Sequence, residues 1–149
     1  MGMYLEISDI PGKAQTPGYE GQIVIDAVSF NCHVSTDERS GLMSGHRKPS
    51  LLHFVSPAGS HGVLLWDKMS KNVVMGTVTL KFDGSPGGGQ HELTVVLTNA
   101  YCRSVDWGLA GEGGLRSSSV SFALAYQAIE IVYEDGGIQT QMDWLSAGA

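Results

Sequence analysis

Histidine and cysteine are the residues most able to form a chemical site in this chain, which has 149 residues, five histidines and two cysteines. No two histidines have the i,i+4 spacing of a helical zinc pair, and no Cys-x-x-Cys motif occurs. Cys32 and His33 are neighbours, so on a strand their side chains would point to opposite faces and would not share a metal. The spacing therefore predicts no metal site, with a zinc site built from distant positions as a minor alternative.

The sequence also lacks the motifs of nucleophilic and phosphate chemistry. The Gly-x-Ser-x-Gly elbow of serine hydrolases is absent, and Gly12-Lys13 has neither the upstream glycine nor the following hydroxyl residue of a phosphate-binding loop. The glycine clusters at 87–89 and 111–114 do not have the dinucleotide-binding spacing and are typical of flexible turns. We therefore predict that the chain is not an enzyme and has no catalytic residue, cofactor or bound metal.

Charge and composition exclude several classes of partner. Nine Lys and Arg stand against 15 Asp and Glu, a net charge of −6, whereas binding to nucleic acid or an anionic membrane requires clustered basic side chains. Hydrophobic residues make up 42% and mean hydropathy is near zero, which predicts a chain that is neither disordered nor inserted in a membrane. The length predicts one domain spanning residues 1–149.

Alternation of apolar and polar residues predicts the elements that would carry any site. Runs with a period of two indicate strands with one buried face and one wet face. They cover residues 3–7, 28–34, 74–82, 93–98, 120–124 and 129–133. Turn signals such as Pro11-Gly12, 83–89 and 135–137 separate them, which is typical of an antiparallel barrel or sandwich. The fold class is therefore predicted to be mainly β.

Residues 60–72 depart from this alternation and predict the single helix. Their apolar residues recur at helical spacing, and Ser60 is the predicted N-cap. A start one turn earlier, at Ser56-Pro57, is the alternative. Asn72 is suited to end the helix.

Two segments, 35–49 and 106–118, are predicted to be long loops because they are polar and contain glycine. Apolar residues lie within them: Leu42, Met43, Trp107 and Leu109. Such residues dock on another chain or fold back on their own chain, and the sequence favours neither.

The N-terminal residues contain neither a basic segment nor an apolar stretch, so no signal peptide is expected and any export would use another route. Cys32 and Cys102 are too few for a disulfide scaffold. We expect reduced thiols, although the spacing does not determine their redox state.

Segments along essentially the whole chain resemble the Hcp family, the tube proteins of bacterial type VI secretion systems. The similar segments include Tyr4 to Gly12, Val28-Ser29-Phe30-Asn31, Ser119-Val120-Ser121-Phe122, Ile129 to Tyr133, and Asp135-Gly136-Gly137 with Asp143-Trp144. The order and spacing of these segments together identify the family more specifically than any single segment does. The chain departs from the family at Asn31-Cys32-His33, where Ser-Trp-Gly is common.

The resemblance implies a small antiparallel β-barrel with one flanking α-helix, assembling into hexameric rings. Stacked rings would form the inner tube inside a contractile sheath, with a spike protein of the VgrG type at the tip and small effector proteins in the lumen. The tube would be built in the cytoplasm and then secreted without a signal peptide. Two alternatives stay open: a tail-tube-like protein of a phage or phage-derived injection particle, and a ring acting mainly as an effector chaperone or receptor.

Within such an assembly, specific residues are predicted to face the lumen or the neighbouring subunits. The lumen candidates are the small polar Ser29, Asn31 and His33, since a polar wall lets cargo slide. The subunit or ring-stacking candidates are Leu42, Met43, Trp107 and Leu109, with packing inside their own chain as the alternative. The 35–49 loop is predicted to reach a neighbouring subunit or ring.

Overall fold

The computed structural model of the protein describes residues 2–15, 17–36, 43–83, 93–111, 118–134 and 137–143. In chain order the strands are β1 (Gly2–Ile7), β2 (Ile23–Ile25), β3 (Ala27–Ser29), β4 (Cys32–Thr36), β5 (Met43–Pro49), β6 (Leu52–Pro57), β7 (Gly76–Asp83), β8 (Leu93–Gly108), β9 (Ser119–Ala125), β10 (Ala128–Tyr133) and β11 (Ile138–Asp143). The helix α1 (Ser60–Ser70) lies between β6 and β7. Within these ranges the prediction of a mainly β chain with one helix is confirmed.

The strands form a nine-stranded antiparallel sheet and a separate antiparallel pair, β4 with β5. The path of the larger sheet is β2-β1-β7-β8-β9-β6-β3, with β10 paired to β8 and β11 paired to β10. Among the described residues no ladder joins β2 to β3, so pairing does not close the sheet into the predicted barrel. The reason is that Asp26 alone separates these two strands, a connection too short for them to pair with each other. The Asp26 N–H instead donates to the carbonyl of Val55 at 2.7 Å.

β8 is the longest strand and connects the two parts of the sheet. Its first half pairs with β7 and β10, and its second half pairs with β9. Asn99 has a positive φ of 52° between the halves, where the chain bends. β8 continues to Gly108, so the first residues of the predicted 106–118 loop are strand. Asp and Gly are poor strand formers, and it is the ladder to β9 that holds Asp106 and Gly108 extended.

The predicted strand 28–34 is two strands, β3 and β4, separated at Phe30 and Asn31. Before the break β3 pairs with β6, and after it β4 pairs with β5, in a register that differs by one residue. Between the two ladders the Ser50 N–H donates to the carbonyl of Asn31 at 2.7 Å. The predicted loop 35–49 is also incorrect, because it contains the end of β4 and all of β5. These two strands bond the backbone groups that face each other, in an antiparallel ladder. They need no apolar alternation, which explains why the sequence pattern missed β5.

The hydrophobic core is formed by the inward faces of the strands together with one face of α1. Leu5, Phe54, Leu97 and Leu124 are fully buried and come from four different strands. The rings of Phe54 and Phe122 stack with centroids 5.0 Å apart. Each such side chain contributes roughly 1.5–3 kcal/mol when it is removed from water. In β6 burial alternates strictly with exposure, as a period-two sequence pattern predicts.

The helix begins at Ser60, where it was predicted to begin, but its N-cap differs from the prediction. Gly59 occupies the N-cap position with an extended backbone and no side-chain cap, so the assignment of Ser60 as N-cap is wrong. The last helical residue is Ser70, two residues before the predicted bound of 72. Asn72 adopts a left-handed φ of 53°, which prevents continuation of the helix and agrees with its prediction as the residue that ends it. Among the described residues, no helix has the length and apolar character needed to cross a membrane.

Candidate functional site

The predicted lumen residues lie around the junction between β3 and β4. Ser29 ends β3 and is exposed, and Asn31, in the break that follows, is exposed as well. His33 belongs to β4, in the separate two-stranded sheet, and its side chain lies outside the described part of the structure. The three residues are therefore not on one continuous strand, and their contact with a lumen stays a prediction.

A largely apolar groove of about 200 Å³ adjoins Asn31. Its lining comes from β10, β11, the residue after β9 and the junction between β3 and β4: Phe30, Asn31, Cys32, Tyr126, Ile129, Ile131, Thr140 and Gln141. The sequence analysis missed this groove because its walls come from segments far apart in the chain. No local spacing brings those segments together.

Tyr126 fixes one wall of the groove by donating its hydroxyl to the carbonyl of Ser50 at 2.7 Å. Ser50 in turn accepts the Asn31 N–H through its Oγ at 2.7 Å. Burial, with a smaller contribution from Cys32, raises the pKa of Tyr126 to about 12. The phenol therefore remains protonated, and a hydrogen-bond donor, near neutral pH. These bonds connect the Asn31 backbone to the end of β9.

The predicted stacking residues have different surroundings. Trp107 lies in β8 and is half-buried against the core, and its ring contacts Gly62 of α1, which favours the intrachain alternative for this side chain. Leu109 follows β8 and is 73% exposed, so it is available to a partner. Met43 is the first residue of β5 and pairs with Thr36, but its side chain lies outside the described part. Leu42 also lies outside the described residues.

Ser56 and His61 have the spacing of a nucleophile and its general base, since Ser56 Oγ lies 2.7 Å from His61 Nε2. Ser56 is 0% exposed and His61 is 5% exposed, so a substrate would not reach them. Within the described ranges no cluster of three or more His, Cys, Asp or Glu residues is arranged to hold a metal. The pair therefore has a structural role in this fold.

The two cysteines are thiols in contrasting surroundings. Cys32 is exposed beside the groove, whereas Cys102 is buried in β8 and donates to the carbonyl of Ser104 at 3.4 Å. Burial raises the pKa of Cys102 to about 11, an effect larger than the opposing one of the backbone hydrogen bond. Cys102 is therefore a packing residue and not a reactive thiol.

Several exposed apolar side chains were not among the predicted contact residues. Val63 is 62% exposed and Trp66 is 50% exposed, both on the outer side of α1. Val74, in the connection between α1 and β7, is also exposed, as are three residues of the sheet: Tyr101, Tyr133 and Ile138. The helical spacing alone was not enough to predict that Val63 and Trp66 are exposed. It places Val63 and Trp66 three residues apart but does not say which helix face meets the sheet.

Comparison with known proteins identifies the family. Residues 4–133 match the family described as "Type VI secretion system effector, Hcp". No curated protein sequence matches the chain significantly.

Solved Hcp structures share its fold over nearly the whole length. A mutant of Hcp1 from E. coli EAEC 042 is similar with a TM-score of 0.83 and 20% identity, covering 97% of this chain and 99% of that one. Hcp1 from Salmonella typhimurium gives 0.78 and 14%, covering 98% and 96%, respectively. Hcp3 from Pseudomonas aeruginosa gives 0.68 and 16%, covering 96% and 97%.

These TM-scores establish a common fold, and the family match over residues 4–133 covers most of the 149 residues. The antiparallel strands and the one helix of the described residues agree with the resemblance found in the sequence, and so does the family match. The chain therefore belongs to the Hcp family of type VI secretion proteins.

Proposed function

We propose that this protein is the structural subunit of a type VI secretion inner tube and works as stacked hexameric rings. The family match over residues 4–133 is the observation that carries this function. The similarity to Hcp structures over nearly the whole chain supports it, because a ring subunit contacts its neighbours through several parts of its surface and needs all of them. The phage tail-tube alternative gains no further support.

The open edge of β11 suits this self-association. Among the described residues β11 pairs with β10 and with no other strand. Residues 138–141 are exposed and uncharged. Soluble proteins usually protect such an edge with charge, proline or a covering segment, so coverage by a second copy of the chain is a consistent explanation. A ring requires contacts of this kind, in which two different surfaces of one subunit meet.

The paired strands β4 and β5 and the exposed Leu109 are further candidates for contact with a neighbouring subunit or ring. β4 and β5 pair with each other in a sheet separate from the larger one, as an arm that contacts a neighbour would. Leu109 presents an apolar side chain to solvent. Both features fit reversible stacking between rings, in which a few apolar anchors lie among polar contacts.

Transport would depend on contacts outside the ring and within its lumen. The proposed partners are the contractile sheath, a spike protein of the VgrG type and small effector proteins held in the lumen. Rings would assemble in the cytoplasm and leave the cell when the sheath contracts. Ser29, Asn31 and His33 are the proposed cargo-facing residues, and the exposure of Ser29 and Asn31 supports this role. Neither an enzymatic activity nor a cofactor is part of this function.

Negative-stain electron microscopy over a range of concentrations, with light scattering alongside, tests the assembly. We expect uniform six-membered rings with an open centre. A strict monomer at every concentration would contradict spontaneous ring formation.

Cargo retention tests the lumen separately. In Asn31→Trp we expect rings to remain while co-purification of a small effector is lost. The matched variant Ser70→Trp, on the last turn of α1, should retain both rings and cargo. Rings of Asn31→Trp that retain cargo would remove Asn31 from the proposed lumen surface.

A further inference from the structure

The junction between β6 and α1 contains two polar side chains that the proposed function does not use. Ser56 points inward near the end of β6, and His61 points inward from the first turn of α1. Both are buried, and Ser56 Oγ lies 2.7 Å from His61 Nε2. This hydrogen bond spans the connection from the sheet to the helix.

The carbonyl of Val120 on β9 extends the contact to a third element, since it lies 3.4 Å from Ser56 Oγ. The ring of His61 also meets the ring of Phe122 edge to face, with centroids 6.2 Å apart. His61 therefore connects the first turn of α1 to both β6 and β9. The next residue, Gly62, contacts the ring of Trp107 on β8, so the same turn packs against three strands of the sheet.

The surroundings of His61 disfavour a positive charge. Burial is the main cause of its lowered pKa, and the cation of Lys13 adds a smaller effect in the same direction. The first turn of α1 contains no acidic residue, and the positive end of the helix dipole lies there. Ser56, Gly59 and Phe122, which lie close to the ring, are uncharged. So are Ile23, Val24 and Pro57, which line the same cavity as His61 and Lys13. Protonation would therefore leave a buried cation beside a second cation.

We propose that Ser56 and His61 form a pH-dependent latch that holds the first turn of α1 on the sheet and releases it in acid. In the closed state His61 is neutral and bonded to Ser56. In the open state its ring is in water and takes up a proton. Because the open state binds more protons than the closed one, opening becomes more favourable as the pH falls below 6.5, the ordinary value for histidine. The latch belongs to the single chain and does not depend on the tube function.

Hydrogen exchange of the full-length protein, read by mass spectrometry on peptides covering α1, tests the latch between pH 7 and pH 5. After correction for intrinsic exchange, protection of residues 61–65 should fall with pH, by at most about tenfold per unit, the limit for one proton. Light scattering at each pH establishes that the assembly state is unchanged. In His61→Gln the pH dependence should disappear, because glutamine does not titrate in this range.

Two further variants distinguish the latch from a general effect of acid. His53→Gln removes an exposed histidine from the same strand as Ser56 and should keep the wild-type pH dependence. Ser56→Ala should lower protection at pH 7 while keeping a dependence on pH, since His61 is still present. NMR titration of histidine-labelled protein should show His61 titrating below 6.5. The latch is refuted if His61→Gln keeps the wild-type pH dependence, or if His61 titrates at its ordinary value.

Discussion

Polar side chains are buried at the junction between β6 and α1 but exposed along the edge of β11. At the junction, Ser56 and His61 are buried and satisfy each other across 2.7 Å. Along β11, residues 138–141 are exposed, and β10 is the partner that the described residues supply. Of these two regions, the one with the more reactive side chains therefore has them buried within the fold. The strand with unremarkable side chains is the one suited to contact another chain.

This contrast shows why side-chain type alone is a poor guide to function in this fold. Ser56 and His61 would suggest hydrolysis if they were read without their burial. The exposed edge of β11 contains no reactive side chain, yet it is the region proposed to contact a second copy of the chain. Accessibility decides which region is available to a partner, and accessibility is a property of the tertiary structure.

The largest expected difference in the free energy of unfolding is between substitutions on the two faces of α1. Leu65→Ala should destabilise the protein by about 2–5 kcal/mol, because Leu65 is 0% exposed and truncation leaves a cavity. Val63→Ala, on the outer face of the same helix, should stay within about 0.5 kcal/mol. Urea unfolding of both variants at pH 7 measures the difference. Equal losses would mean that the helix does not use the Leu65 face against the sheet.

Gly62 tests how tightly the junction is packed. A Cβ at this position would lie 2.5 Å from Trp107 Cζ2 and 3.1 Å from Val120 Cγ2. Gly62→Ala should lower stability by about 1–2 kcal/mol, because overpacking outweighs the gain of about 1 kcal/mol in helix propensity. Gly111→Ala has no atom within 4 Å of its new Cβ and is the control. A more stable Gly62→Ala would show that Trp107 moves aside freely.

Removing the hydroxyl of Tyr126 tests how much its hydrogen bond stabilises the wall of the groove beside β11. Tyr126→Phe removes the hydrogen bond to Ser50 and should cost about 1 kcal/mol in the free energy of unfolding. Thermal or urea unfolding provides the measurement. Tyr101→Phe, at an exposed tyrosine, should have no measurable effect. If both variants behave alike, the Tyr126 bond does not stabilise this region.

Reaction of the two thiols with a reagent measures their accessibility to solvent, and it has the smallest expected effect on stability. At pH 8, Cys32 should react rapidly with a thiol reagent, whereas Cys102 should react only after unfolding, because it is buried and its pKa is about 11. Counting reacted thiols with and without denaturant measures this. Cys32→Ser should abolish the rapid phase. A rapid phase that survives in Cys32→Ser would show that β8 opens around Cys102.

Several features of the fold were predictable because they depend on neighbouring residues in the chain. The alternation at 3–7 and 129–133 corresponds to β1 and β10, and the change to helical spacing corresponds to α1. The N-cap was mispredicted because Ser60 has the preferred side chain, whereas the conformation places Gly59 there.

The candidate site was less predictable, because its geometry depends on contacts between distant segments. Ser29 and Asn31 are exposed, in agreement with their polar character, but the break between β3 and β4 was not anticipated. The groove joins Asn31 to Tyr126 and Thr140, residues that no local pattern connects. Trp107 was expected in a loop but lies in β8, since the pairing with β9 extends the strand.

The linear sequence is sufficient to predict the class of the fold, the approximate position of most strands and of the helix, and the family. These follow from local periodicity and from the order of short segments, which are properties of a linear chain. The tertiary structure decided which residues are buried, how Ser56 meets His61, and that β4 and β5 pair with each other. The physical reason is that burial and strand pairing depend on long-range packing, which selects among faces and edges that the local pattern leaves equivalent.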